Sequence, residues 1–94
     1  MKTIYKYILS SAGNFDAPEK CEIELQKNAQ ILSVQNQKEG IVVYALVDPS
    51  LPKVKREFRI CGTGDTFSLD IENFKFVGTV QLLGGILVFH VFVR

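Results

Sequence analysis

Apolar and polar residues alternate along most of this chain with a period of two, the spacing of half-buried strands. Residues 2–9 set Thr3, Tyr5, Tyr7 and Leu9 against Lys2, Ile4, Lys6 and Ile8, which predicts a first strand. The stretch 10–19 is full of breakers and reads as a loop. Residues 20–26 alternate strictly: Cys21, Ile23 and Leu25 inward, Glu22 and Glu24 outward. A turn over 27–30 follows. Residues 31–37 and 41–47 flank Lys38-Glu39-Gly40 and predict a hairpin. The second of these is apolar on both faces, as a central strand should be.

Asp48-Pro49-Ser50-Leu51-Pro52 is a stiff connector, because proline fixes φ and removes a ladder donor. Over 54–61, Val54, Arg56, Phe58 and Ile60 share one face; Lys55, Glu57, Arg59 and Cys61 share the other, whose charges read as solvated. Gly62-Thr63-Gly64 ends that strand. Residues 65–75 fit both periods and read as a loop with one helical turn. The end of the chain is the clearest signal. Residues 77–83 and 86–93 flank Gly84-Gly85 and predict a two-residue hairpin that sets Val80 opposite Phe89 and Thr79 opposite His90. Its core face carries Phe76, Val80, Leu82, Leu87, Phe89, Val91 and Val93. The other carries Thr79, Gln81, Leu83, Ile86, Val88, His90 and Phe92, apolar with a polar strip, and needs a cover. The pattern predicts an all-β fold: a small antiparallel β-sandwich or barrel of about seven strands, one domain over 1–94, with a C-terminal hairpin at 77–93.

Composition narrows the function. Eleven Lys and Arg against ten Asp and Glu leave a net charge of +1, which argues against a nucleic-acid coat or a polybasic membrane binder. No apolar run reaches the roughly 18 residues of a membrane helix. Lys6 interrupts the apolar opening, so the start reads as a strand and not as a leader. Cys21 and Cys61 lack CxxC spacing and read as buried thiols of a reducing compartment, their pairing left open by sequence.

Candidate chemistry is sparse. His90 is the single histidine, with no second ligand at metal spacing and no GxSxG for a serine relay, so neither a metal, a cofactor nor an enzyme is expected. The plain reading of His90 is a strand residue bonded to a neighbour such as Thr79; the functional one is a ligand contact. Gly62-Thr63-Gly64 reads as a turn needing positive φ, or as a backbone approach to phosphate. Lys53, Lys55, Arg56 and Arg59 form the one local charge excess. Arg56 alternates with apolar neighbours, so a partly buried guanidinium there needs an anion or a carboxylate. Tyr44 carries a polar tip suited to a ligand rim.

The blocks MKTIYKY, ILSVQ at 31–35, YALVDP at 44–49, RxFxIxGTG at 56–64, VGTVQ at 77–81 and LVFHVF at 87–92 occur in one order along nearly the whole chain. This resembles a family of small phage-encoded proteins of similar length. The chain departs from that pattern at Gln26-Lys27-Asn28-Ala29, where the family often has Pro-Lys-Gly-Ala, and at Tyr44, where it often has Trp. The resemblance implies a phage origin and work in the host bacterial cytoplasm. By analogy of type, it implies an anti-defence protein that binds and sequesters a nucleotide immune second messenger, a cyclic ADP-ribose isomer or a cyclic oligonucleotide, without catalysis. The expected ligand contacts are Arg56, Phe58, Thr63, Gly64, Tyr44, Gln81 and His90. The expected assembly is a homo-oligomer through 86–93. The alternative is a protein-interaction module that binds and inhibits a host protein.

Overall fold

The computed structural model describes residues 1–11, 20–66 and 68–94. Seven antiparallel strands form two sheets: β1 (Thr3–Ser10), β2 (Lys20–Gln26), β3 (Gln30–Gln37), β4 (Gly40–Val47), β5 (Lys53–Gly62), β6 (Lys75–Leu82) and β7 (Leu87–Val93). Strand order is β1-β4-β3 in one sheet and β2-β5-β7-β6 in the other. The expected all-β sandwich is what forms, with β4 central in its sheet. Overall extents are 40 × 32 × 17 Å. The short axis suits two layers packed face to face. Among the described residues no helix is long and apolar enough to cross a membrane. The expected loop at 10–19 lies almost entirely outside the described residues.

Alternation produces the core. Ile41, Val43, Ala45 and Val47 of β4 face Phe58 and Ile60 of β5, Val80 and Leu82 of β6, and Val91 and Val93 of β7, all buried. The β2 alternation holds as read: Leu25 is buried, Cys21 and Ile23 are half-buried, and Glu22 and Glu24 are exposed. The β3–β4 hairpin closes on Lys38 (φ 51°) and Glu39 (φ 65°). Two such left-handed residues in succession match the twist of two antiparallel strands.

Two seams complete the sandwich, β1 beside β2 and β3 beside β6. Side chains stitch them. Tyr7 donates its hydroxyl to Gln26 Oε1 at 2.6 Å, and Cys21 Sγ approaches the Leu9 carbonyl at 3.6 Å. Asn36 Nδ2 donates to the Gln81 carbonyl at 2.9 Å, and the Leu83 amide donates to Glu39 Oε2 at 2.6 Å. At the second seam the sheets approach so closely that a Cβ on Gly78 would lie 3.0 Å from Val34 Cγ1.

The C-terminal hairpin has the expected register, Val80↔Phe89 and Thr79↔His90, but two expected details are corrected. The connection is a four-residue turn, 83–86, in place of a two-residue one. Its Ile86 amide donates to the Leu83 carbonyl, and Leu83, Gly84 and Gly85 all have positive φ. A bulge between Phe76 and Gly78 shifts the parity of the first residues of β6. Phe76 therefore leaves the expected core face, is 58 % exposed, and meets Phe92 with ring centroids 5.3 Å apart.

Candidate functional site

Three constellations can be built from the residues singled out in the sequence, and they stand apart. The first lies at one pole of the sandwich, where the sheets open. The β2–β3 turn is held there by Asn28 at φ 65°, by the Ala29 amide on the Gln26 carbonyl, and by the Lys27 amide on the Pro52 carbonyl at 2.8 Å. This leaves the Ala29 carbonyl pointing across the opening. Arg56 of β5, beyond the buried Phe58, donates Nη1 to that carbonyl at 2.8 Å and Nε to the Arg94 main-chain oxygen at 3.3 Å. The expected carboxylate partner is replaced by two main-chain oxygens. Burial pushes the guanidinium below its ordinary value.

Around Arg56 opens a pocket of about 400 Å³, lined by 28–31, Arg56, Lys75–Val77 and Val93. None of these lining residues is acidic. Lys75, which pairs with Val93 in the ladder, is exposed, and its ammonium has no hydrogen-bond or ion-pair partner among the described residues. Phe76 borders the pocket, but its ring packs on Phe92 on the outer face of the sheet. Arg56 is thus the only expected contact that the pocket contains. Sequence gives Lys75 no role and reads Phe76 as core, although Gly78, an isolated glycine in a strand pattern, is a recognised sign of a bulge.

The second constellation is on the outer face of the four-stranded sheet. His90 Nε2 lies 2.7 Å from Thr63 Oγ1, and His90 Nδ1 lies 2.9 Å from Thr79 Oγ1. The bond to Thr79 is the plain reading made from sequence. A histidine acting as a general base is ordinarily oriented through Nδ1 by a carboxylate; here a threonine hydroxyl takes that place. The glycine turn is a structural one. Asp65 Oδ2 accepts the Gly62 amide at 2.8 Å, the Thr63 amide goes to the Val88 carbonyl, and Gly64 has φ 91°. The Gly62, Thr63 and Asp65 amides are occupied within the protein, which takes three of the four donors that the phosphate-approach reading would use. Gln81 is exposed on the same hairpin, at the β3–β6 seam.

The remaining expected contacts fall elsewhere. Phe58 is fully buried, a correction: its alternation with Ile60 makes it core, unreachable by a ligand. Tyr44 lies on the outer face of the other sheet, in register with Lys6 and Ser33. Arg56 and His90 are on opposite faces of the four-stranded sheet, so they line no common pocket.

The third constellation was missed. Arg59, expected in solvent, is 2 % exposed. It does point to the outer face, but the chain folds back over it through a 3₁₀ segment, Leu69–Asn73. Arg59 Nε donates to Glu57 Oε2 and Nη2 to Asp70 Oδ2, each at 2.8 Å. Arg59 and Arg94 each set Cζ 4.8 Å from the Phe74 ring centroid, within cation–π range. The Arg59 hydrogen bond holds Glu57 below the usual carboxylate range; the Ser68 hydroxyl, then Arg59, do the same for Asp70. The 3₁₀ segment satisfies the expected helical turn in 65–75. It also means that the chain covers part of the face that was expected to need a partner.

A family model, Domain of unknown function (DUF7352), matches residues 1–94. No curated protein matches the chain, and no solved structure does.

Proposed function

For this chain, which belongs to the DUF7352 family, we propose a binding role without catalysis: capture of a small phosphate-bearing ligand in the pole pocket. The observation that carries this reading is the presence of both Arg56 and Lys75 in a pocket of about 400 Å³ whose lining has no acidic side chain. Two cations with no acidic side chain beside them hold a favourable place for an anion, and Arg56 is pre-oriented by its two main-chain bonds. Sequestration needs affinity and orientation, and no nucleophile or base. The resemblance to small phage-encoded proteins supplies the setting: an anti-defence protein in the bacterial cytoplasm that withdraws a nucleotide second messenger. Calorimetry against cyclic ADP-ribose isomers and cyclic di- and trinucleotides tests it, followed by recovery of the ligand after heating. Binding with intact ligand recovered supports sequestration. A converted product or silence across the panel overturns it.

The alternative, a module that binds and inhibits a host protein, draws on a different observation. Ile86 is 80 % exposed at the tip of the C-terminal hairpin, with Leu83 and Phe76 also open. Ile86 is also where the expected homo-oligomer through 86–93 would have its contact. The patch is smaller than the whole face, because Arg59, Cys61 and Phe74 on that side are already buried. Light scattering at micromolar concentration tests the assembly: a dimer mass that Ile86→Lys converts to monomer supports it, and a monomeric wild type ends it.

A further inference from the structure

The two sheets treat their outer faces differently. The four-stranded sheet covers part of its own with the 3₁₀ segment. The three-stranded sheet has no such cover among the described residues. Its outer face carries Ile4 and Ile8 of β1 opposite Leu46 and Val42 of β4, with Tyr44 between these two and Leu32 of β3 close by. Ile4 and Ile8 are each more than half exposed, and Leu32 is exposed too. A run of apolar side chains on an outer sheet face is the mark of a contact site.

Charge on this face has one sign. Lys6 lies between Ile4 and Ile8, and Lys38 stands in the β3–β4 turn. No outward strand position here is acidic. The acids of the adjoining turns are engaged elsewhere. Glu39 accepts the Leu83 amide at the β3–β6 seam, and Asp48, past the end of β4, accepts from Ser50. A cleft of about 290 Å³ is set into the face, lined by Ile8 and Val42 with Lys6 and Lys38, and by no acidic residue. The shape is that of a seat one helix wide. Three strands about 4.8 Å apart put the outer two about 10 Å from one another, the diameter of a helix with its side chains. The eight residues of β1 run about 27 Å, or about five turns of helix.

We propose that this face docks one amphipathic helix of a partner protein. Its apolar stripe would run along Ile4, Ile8, Tyr44 and Leu46, with an apolar side chain in the cleft and carboxylates against Lys6 and Lys38. A second copy of this chain would set lysines against a face with no strand carboxylate to meet them. A bilayer surface has no protruding side chain for the cleft. The seat is independent of the pole pocket, so it stands or falls apart from the anion reading.

Fluorescence anisotropy with two labelled peptides, each of about five helical turns, tests it. Both carry leucine at i, i+3, i+4 and i+7; one is flanked by Glu and the other by Lys. The expected result is binding of the Glu peptide, with the Lys peptide about tenfold weaker or more. Ile4→Thr with Ile8→Thr keeps β-branched side chains at exposed positions. It should hold the wild-type melting temperature and weaken the Glu peptide about tenfold or more. Lys6→Glu should narrow the preference between the peptides. Lys75→Glu, the same reversal on the other sheet, should leave it unchanged. Equal loss in those two variants would make the attraction general and overturn the site. Equal binding of both peptides, or silence with both, overturns it as well. So does a dimer mass in light scattering, or pelleting with phosphatidylserine vesicles, that the double threonine variant abolishes. The first gives the face to a second copy, the second to a membrane.

Discussion

Strand β5 carries two arginines three residues apart, and they have opposite fates. Arg59 is enclosed by Glu57, Asp70 and the Phe74 ring, its charge neutralised within the chain. Among the described residues Arg56 bonds only main-chain oxygens, in a pocket that also holds Lys75 and no acidic side chain. A buried guanidinium with two carboxylates has nothing left to offer a ligand; it is a fastening. One held by main-chain oxygens, with no acidic side chain beside it, is already oriented. The lesson is that burial alone does not mark a functional cation. The sign of what surrounds it does.

Removing each arginine tests that contrast, and Arg59 should matter more for stability. Among the described residues, Arg59→Ala leaves Glu57 with Arg94 alone and Asp70 with Ser68 alone, and releases the 3₁₀ segment, so thermal denaturation should show a fall of roughly 15 °C or more. A fall below that seen for Arg56→Ala would break the comparison. Arg56→Ala removes a short, half-buried bond to the Ala29 carbonyl and a long, exposed one to the Arg94 main-chain oxygen, about 1.5–3 kcal/mol in all, which is roughly 6–24 °C in a domain of this size. It should also abolish anion binding, whereas any Arg59 variant that still folds should bind normally.

Acid sharpens the comparison from the other side. Glu57 and Asp70 have folded values below their unfolded ones, so the unfolded chain takes up protons first as pH falls. Their contribution is complete above about pH 4.5, the unfolded carboxylate range, and disappears as pH drops through the lower folded values. Melts at pH 7, 5 and 3 should show little change over the first interval and a clear loss over the second. In an Arg59→Met background that acid-dependent loss should shrink. An unchanged slope would mean that the clasp contributes nothing to the acid limb.

The smallest stability effect is expected at Lys75. Lys75→Glu removes no internal contact and should alter stability by no more than about 0.5 kcal/mol, while reversing the charge beside Arg56. A fall in melting temperature comparable with that of Arg56→Ala would assign Lys75 a place in the fold and weaken the case for a ligand.

The strands were legible because each buries one face, and period two follows from that. The Lys38-Glu39 turn, the β2 faces, the central position of β4 and the register at Thr79↔His90 can all be read from residue order. Two features are not encoded as alternation. The parity change at the start of β6 comes from one inserted residue, visible in sequence only as a glycine at 78. The burial of Arg59 comes from a segment about ten residues downstream that carries both an acid, Asp70, and a ring, Phe74. Of the expected contacts only Arg56 reaches the pocket. A binding site drawn from one turn, two strand starts and a strand end has no local pattern to announce it.

The strand order also governs how this chain reaches its structure. Only β3–β4 and β6–β7 are joined as neighbours in sequence. β1 must wait for β4, and β2 must find β5 across the intervening β3–β4 hairpin. Folding speed falls as pairing becomes less local, so the two hairpins should form first, in microseconds, and the outer strands should dock in a slower millisecond-to-second step. The pole pocket is assembled from the β2–β3 turn, β5 and both strands of the last hairpin. It is therefore among the last parts of the molecule to come into being, and a ligand that selects the finished pocket would slow unfolding without hastening folding.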